Sequence, residues 1–420
     1  MSFSFIHTGD LHLDSPLRGL GALDDARATT LASAGRRAFD DLVQRAVDAR
    51  VDAMLIAGDL WDGDWSDVSV GLHVAEKVGR LARAGIATFA VLGNHDAQSR
   101  VTDRIRHIEA LHLFPADRPA SVECGPAVIH GMSYAQPFVT DNIAALYPEA
   151  VPGRVNIGLL HTALDGTLGH DPYAPCTLAD LRSRRYHYWA LGHVHTRQVL
   201  ADAAAVEGGT VAYCGVLQGR HVRESGVKGA WHGVVEGDRV RLTPVDFGHA
   251  CWFEAQADVS AGDEGDAMRS AFQEVARQAG ASVSLAVVRL RLVGETARHH
   301  ALATRLRDLD DLARIAAAGV DERILVEDVR LCTAPPSEGE RAVLPHRFDA
   351  LLAEVAADPR TASSAETAVK EVLNALGPAA RAFLAESIPE LVHYEERGDL
   401  APLLAEAARR VTARLREKIA

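Results

Sequence analysis

Asp10 with His12, Asp59, Asn94 with His95, His161, and His193 with His195 stand at the ends of five short apolar runs in the first half of the chain. Carboxylate, amide and imidazole groups bind hard and borderline divalent cations. No cysteine lies in any of these segments, which excludes a structural zinc cage of thiolates and suits Mn²⁺, Fe or Zn²⁺ in open coordination, Mn²⁺ first. Asp10, His12, Asp59, Asn94, His161, His193 and His195 are too many ligands for one ion that must keep a position free for water. They divide naturally between two ions if one carboxylate bridges. Two ions about 3.5–4 Å apart activate a water and neutralise a phosphate diester's charge during in-line displacement. The chemistry expected is hydrolysis of a phosphoester.

Strand ends must position these groups. Residues 4–8 read as a strand running into Gly9, and in an extended stretch Asp10 and His12, two apart, leave the same face. Residues 53–57 and 88–92 are buried-strand patterns ending at Gly58-Asp59 and Gly93-Asn94-His95-Asp96. Residues 155–160 lead into His161, and 188–191 lead into Gly192-His193. Glycine before the ligand permits a sharp turn at the strand's C-terminal end, where open α/β sheets place their ligands.

The ordered set DLH, GDLWD, GNHD, lone His161 and GHVH resembles the five motifs of calcineurin-like metallophosphoesterases, in particular the SbcD-type DNA-repair nucleases. The opening FIHTGDLHLDSPL and the later YCGVLQGRHVRESGVKG are most similar to the bacterial YhaO subfamily, and the likeness covers about residues 3–250. It implies that Asp10, His12, Asp59 and His195 hold one ion, and that Asp59, Asn94, His161 and His193 hold the other. It assigns His95 to the scissile phosphate and the leaving oxygen, a role that suits the side chain whose pKa lies near neutrality. Asp96 either orients that ring or caps the following helix. The implied substrate is DNA and the implied partner is an SMC-like ATPase of the SbcC or YhaN kind, with a homodimer left open. The chain has no Walker-type glycine-lysine loop of its own. The alternatives are a small-molecule phosphodiesterase or phosphomonoesterase, and a non-catalytic scaffold of the same fold.

One departure is Asp62, where several SbcD-type nucleases carry histidine. It could accept a hydrogen bond from a metal-bound histidine or be a solvated loop carboxylate. The chain has nineteen histidines, so most have no catalytic part. His7 reads as a hydrogen-bonded core residue, and His73, His107 and His112 fall in expected helices.

The formal net charge of −13 argues against a protein that grips nucleic acid by overall charge. Two divalent ions would supply positive charge where it is needed. Arg220, His221, Arg223 and Lys228, in a glycine-punctuated stretch, are the candidates for contact with substrate. Cys124, Cys176, Cys214, Cys251 and Cys332 are widely spaced and odd in number, fitting free thiols in a reducing compartment. No apolar stretch approaches the ~20 residues of a membrane span, and no signal-peptide pattern opens the sequence. Cytoplasmic residence is the expectation.

Apolar spacing through Leu31, Phe39, Leu42, Val43 and Ala46, and again through Val70, Val74, Val78 and Leu81, predicts helices over 24–49 and 66–84. Each lies between two ligand-bearing strands. With the resemblance, this alternation predicts an α/β fold, a two-sheet α/β/β/α metallophosphoesterase sandwich over residues 1–248. A small α+β capping domain is expected over 251–333. After a Pro-rich linker, a helical C-terminal region over 340–420 could dock a partner.

Overall fold

The computed structural model describes residues 2–15, 25–62, 69–97, 107–164, 173–202 and 209–336, together with Pro402, Glu406 and Ala407. The helical region expected over 340–420 otherwise lies outside the described residues.

In chain order the strands are β1 Ser2–Thr8, β2 Ala53–Ala57, β3 Ala87–Val91, β4 Leu111–Leu113, β5 Ala120–Cys124, β6 Ala127–Gly131 and β7 Val155–His161. They continue as β8 Tyr188–Gly192, β9 Gln198–Ala201, β10 Thr210–Tyr213, β11 Gly226–Glu236, β12 Arg239–Asp258, β13 Ala286–Glu295 and β14 Ile324–Ala334. The helices are α1 Asp25–Ala49, α2 Ser69–Arg83, α3 Leu178–Ser183, α4 Glu264–Ala279, α5 His299–Thr304 and α6 Leu306–Val320. One sheet has the order β14-β13-β12-β11-β1-β2-β3-β4 and the other β5-β6-β7-β8-β10-β9. β1 to β4 run parallel, as do β6, β7, β8 and β10. α1 and α2 supply the crossovers that parallel neighbours require.

The alternation of side chains along each strand builds the layers. Ile6, Met54, Ile56 and Ala90 face one way and meet Phe39, Leu42, Val74 and Leu81 of the two helices. Their neighbours Phe5, Leu55, Ala57 and Phe89 face the other way and pack on Ile157, Leu159, Tyr188 and Ala190 of the second sheet. Leu160, Trp189 and Leu191, on that sheet's far side, meet Tyr147, Leu181 and Tyr186. This is the α/β/β/α order, with three apolar layers between four tiers. Each fully buried Leu or Phe contributes roughly 1.5–3 kcal/mol to it.

Two compact units divide the chain. The first comprises 1–255, 269–290 and 316–328 and contains both crossover helices and all of the strand ends just described. The second gathers 256–268, 291–315 and the chain from Val329 on. Within it Arg298 donates to Glu264 at 2.6 Å, and Thr296 N donates to Ala334 O at 2.8 Å. β12 runs unbroken across residues 248–251. His112 lies in β4, where its segment pairs with β3, and His107 lies in a turn, so neither is helical.

His7 is fully buried between the sheets, with Nδ1 2.7 Å from the Tyr188 hydroxyl and Nε2 3.2 Å from Leu191 O. Burial pushes its pKa down to about 3 from 6.5, the backbone carbonyl opposing only partly. Between those pH values the unfolded chain binds a proton that the native chain refuses, so stability is present above pH 6.5 and is lost as pH falls toward 3. We expect His7→Gln to flatten the acid side of a stability-versus-pH curve measured by urea unfolding. Equal slopes for the variant and the parent would contradict this account.

Candidate metal centre

The ends of β1 and β2 continue side by side as irregular backbone. Asp10 N donates to Gly58 O at 2.9 Å, and His12 N to Asp59 O at 3.0 Å. Asp10, His12 and Asp59 adopt left-handed φ values of 45°, 42° and 52°, and His193 a φ of 99°. Residues with a Cβ rarely occupy this region, and such strain gathers at functional sites. Asp10 and His12 therefore converge through a turned backbone, not through the extended stretch that their spacing suggested. Nor do the preceding glycines all serve as hinges. Gly58 has φ +89°, but Gly93 is required by close approach, since a Cβ there would strike the Asp59 carboxylate.

These turns bring donor atoms from five segments together. Ligand atoms of Asp10, His12 and His195 lie within 4.8 Å of one another, as do those of Asp10, Asp59 and His161. Asp59 Oδ2 stands 3.9 Å from His12 Nε2 and 3.5 Å from His161 Nε2, between the two groups. Asn94 Oδ1 is 3.0 Å from His161 Nε2. The His193 ring lies 5.1 Å from that of His161, and its backbone N donates to both oxygens of Asp10 at 3.0 Å.

Protonation follows from the outer partners. His12 Nδ1 is 2.5 Å from Asp62 Oδ1, His195 Nδ1 is 2.7 Å from Glu224 Oε1, and His161 Nδ1 is 2.9 Å from Ala57 O. These oxygens accept, so each Nδ1 carries a hydrogen and each Nε2 is the ring nitrogen left to face the cluster. His12 Nε2 and His195 Nε2 lie 3.2 Å apart. Asp10 and Asp59 are buried beside them. Burial raises the Asp10 carboxyl above its ordinary range. At Asp59 the neighbouring histidines His161, His12 and His95 outweigh burial and lower it. A buried ion loses several kcal/mol of solvation, whereas a charge-assisted hydrogen bond returns about 1.5–3 kcal/mol. Convergent imidazole nitrogens and clustered carboxylates thus fit divalent cations, with Asp59 between the two groups.

Residues 3–197 match the family of calcineurin-like phosphoesterases, and residues 252–334 match the middle domain of metallophosphoesterase YhaO. Residues 3–197 thus form a calcineurin-like phosphoesterase domain, followed by a YhaO middle domain. The chain is 33% identical over 277 residues to the uncharacterized metallophosphoesterase YhaO of Bacillus subtilis (strain 168), covering 65% of this chain and 66% of that protein. It is 26% identical over 166 residues to the DNA double-strand break repair protein Mre11 of Sulfurisphaera tokodaii, covering 38% of this chain and 43% of the relative. The corresponding protein of Methanopyrus kandleri is 26% identical over 208 residues, covering 45% and 44% respectively. The chain thus spans under half the length of both Mre11 proteins and just under two thirds of YhaO.

Around the phosphoesterase ligands runs a second ring of charge. Arg220 donates to Asp62 Oδ2 at 3.1 Å and to Glu224 Oε1 at 2.8 Å, joining the two carboxylates that fix His12 and His195. Burial works against both carboxylates. Bonds from His12, Ser15 and Arg220 to Asp62, and from His195 and Arg220 to Glu224, outweigh it and hold them well below the ordinary range. Asp62 is therefore the acceptor of a ligand histidine and not a solvated loop carboxylate. Arg220, expected to face substrate, turns inward. His221 and Arg223 are exposed, and Lys228 is half-buried on β11. Glu224 was not singled out from the sequence. Its one signal is an acidic residue within a basic, glycine-flanked loop, at the i,i+4 position from Arg220.

Asp96 is also buried, and its carboxyl is raised well above the ordinary range by burial and by Asp59. Its oxygens accept from Leu60 N at 2.9 Å and Gly93 N at 3.0 Å, lacing the Asp59 loop to the Asn94 loop. The carboxylate against the His95 ring is Asp62, 3.2 Å from Nδ1.

Asp59→Ala is expected to empty both ion positions together, and elemental analysis finding one ion retained would reject the bridge. Arg220→Met should lower metal affinity or turnover by about 10–100-fold, the usual cost of losing an outer partner. Titration with Mn²⁺ followed by kinetics reads both quantities.

Proposed function

We propose that this phosphoesterase is a metal-dependent DNA nuclease acting in DNA repair. The observation that carries the hydrolytic reading is the placement of His95. Its side chain is 44% exposed beside a buried ligand cluster, its backbone N donates to Asp59 Oδ1 at 3.1 Å, and its Nδ1 faces Asp62. With Nδ1 engaged, Nε2 is the nitrogen that gives a proton to a leaving alkoxide. Burial lowers the His95 pKa and the Asp59 carboxylate opposes this. Bound ions, Mn²⁺ by donor type, supply the Lewis acidity that activates water and offsets phosphate charge. Asp10, His12, Asp59 and His195 would hold one, and Asp59, Asn94, His161 and His193 the other.

DNA as substrate is supported by the likeness to two DNA double-strand break repair proteins. An SMC-like ATPase partner of the SbcC or YhaN kind belongs to the same reading, since the sequence holds no nucleotide-binding loop to supply energy. So do cytoplasmic residence, a capping role for residues 251–333 and a partner-docking role for residues 340–420. Among the described residues no helix is long and apolar enough to cross a membrane.

The deciding assay compares duplex DNA, single-stranded DNA and bis(p-nitrophenyl) phosphate with Mn²⁺. Cleavage of DNA is expected, and turnover of the chromogenic diester alone would identify a small-molecule phosphodiesterase. His95→Ala should retain both ions while losing about 10²–10⁴-fold in kcat. Loss of metal in that variant would contradict its role as proton donor.

A further inference from the structure

Phe138 leaves 70% of its surface open to solvent. Its ring therefore presents a flat apolar face to whatever approaches this surface. Its ring packs on Tyr173 with 5.5 Å between centroids and an angle of 36°. Tyr173 in turn meets the ring of His193, 5.3 Å away at 73°. Three rings therefore step from a proposed metal ligand out to the surface.

The step is rigid. Ala174 N donates to Val139 O at 2.6 Å, binding the Phe138 segment to the Tyr173 segment. Ala174 itself is left-handed, with φ 42°, and its carbonyl accepts from Thr162 Oγ1 at 2.7 Å. Tyr173 O accepts from Ala163 N at 2.9 Å. Thr162 and Ala163 directly follow His161, so the aromatic step is fastened to the same strand end that carries a ligand.

We propose that Phe138 is a stacking platform for an unpaired nucleobase next to the scissile phosphate, a specificity-determining residue whose role rests on the nuclease reading above. A nucleobase offers a flat π face that stacks on aromatic side chains with little regard to sequence. A phosphomonoester of a small alcohol offers no such face, and bases within a duplex are already covered by their neighbours. The short path from His193 to Phe138 suits a base flanking a phosphate held at the ions.

The test uses the full chain with Mn²⁺ and two single-stranded oligonucleotides with one hydrolysable linkage each, flanked either by ordinary nucleotides or by abasic ones. Wild type should favour the base-bearing strand in KM by about tenfold, within the range of one base–aromatic stack. Phe138→Ala should lose that preference through a higher KM for the base-bearing strand, and Phe138→Trp should keep it. Preference persisting in Phe138→Ala, or lost equally in Phe138→Trp, overturns the platform. Equal KM values for the two strands in wild type overturn it while leaving the nuclease reading intact. Hydrolysis of bis(p-nitrophenyl) phosphate with no cleavage of either strand overturns the nuclease reading, and the platform with it.

Discussion

Everything at this site answers to one electrostatic conflict. Two carboxylates, Asp10 and Asp59, are buried together beside His12 and His195, whose Nε2 atoms lie 3.2 Å apart. Hydrogen bonds alone return little against the cost of burying two carboxylates, so the arrangement suits positive charge placed inside it. The outer carboxylates Asp62 and Glu224 hold the Nδ1 sides of His12 and His195, and Arg220 holds those carboxylates in place. Removing any layer alters the charge balance of the one beneath it.

The sandwich supplies the rigidity that this balance requires. Alternate residues of β1, β2 and β3 pack on the crossover helices and on the second sheet, so the strand ends cannot drift apart without breaking both cores. That fixed frame is what tolerates four non-glycine residues in the left-handed region, each at a cost of order 1–3 kcal/mol. The ends of β7 and β8 approach from the other sheet and bring His161, His193 and His195. The cluster that could hold metal draws side chains from both sheets, and neither sheet alone supplies all of them.

Much of this was legible in the sequence because metal-binding side chains at the ends of apolar runs are conspicuous, and the two crossover helices declared themselves by spacing. The local backbone was not legible. An extended model for Asp10 and His12 gives the right convergence for the wrong reason, because spacing along a chain does not reveal a turn stabilised by the neighbouring loop. Arg220 read as a substrate contact because its inward partners, Asp62 and Glu224, come from distant segments that only the fold joins. Glu224 escaped notice for the same reason. Asp96 read from adjacency as either a ring orienter or a helix cap, whereas in the fold it braces the backbone amides of Leu60 and Gly93. His112 read as helical where a three-residue edge strand was too short to show a period.

The lacing of the Asp59 and Asn94 loops by Asp96 bears on what joins the two loops. Its bonds run to backbone amides of Leu60 and Gly93, so the ligand loops are joined by the polypeptide itself. The two loops are thus held to each other by bonds that do not pass through an ion, whereas small zinc modules need the ion to fold at all.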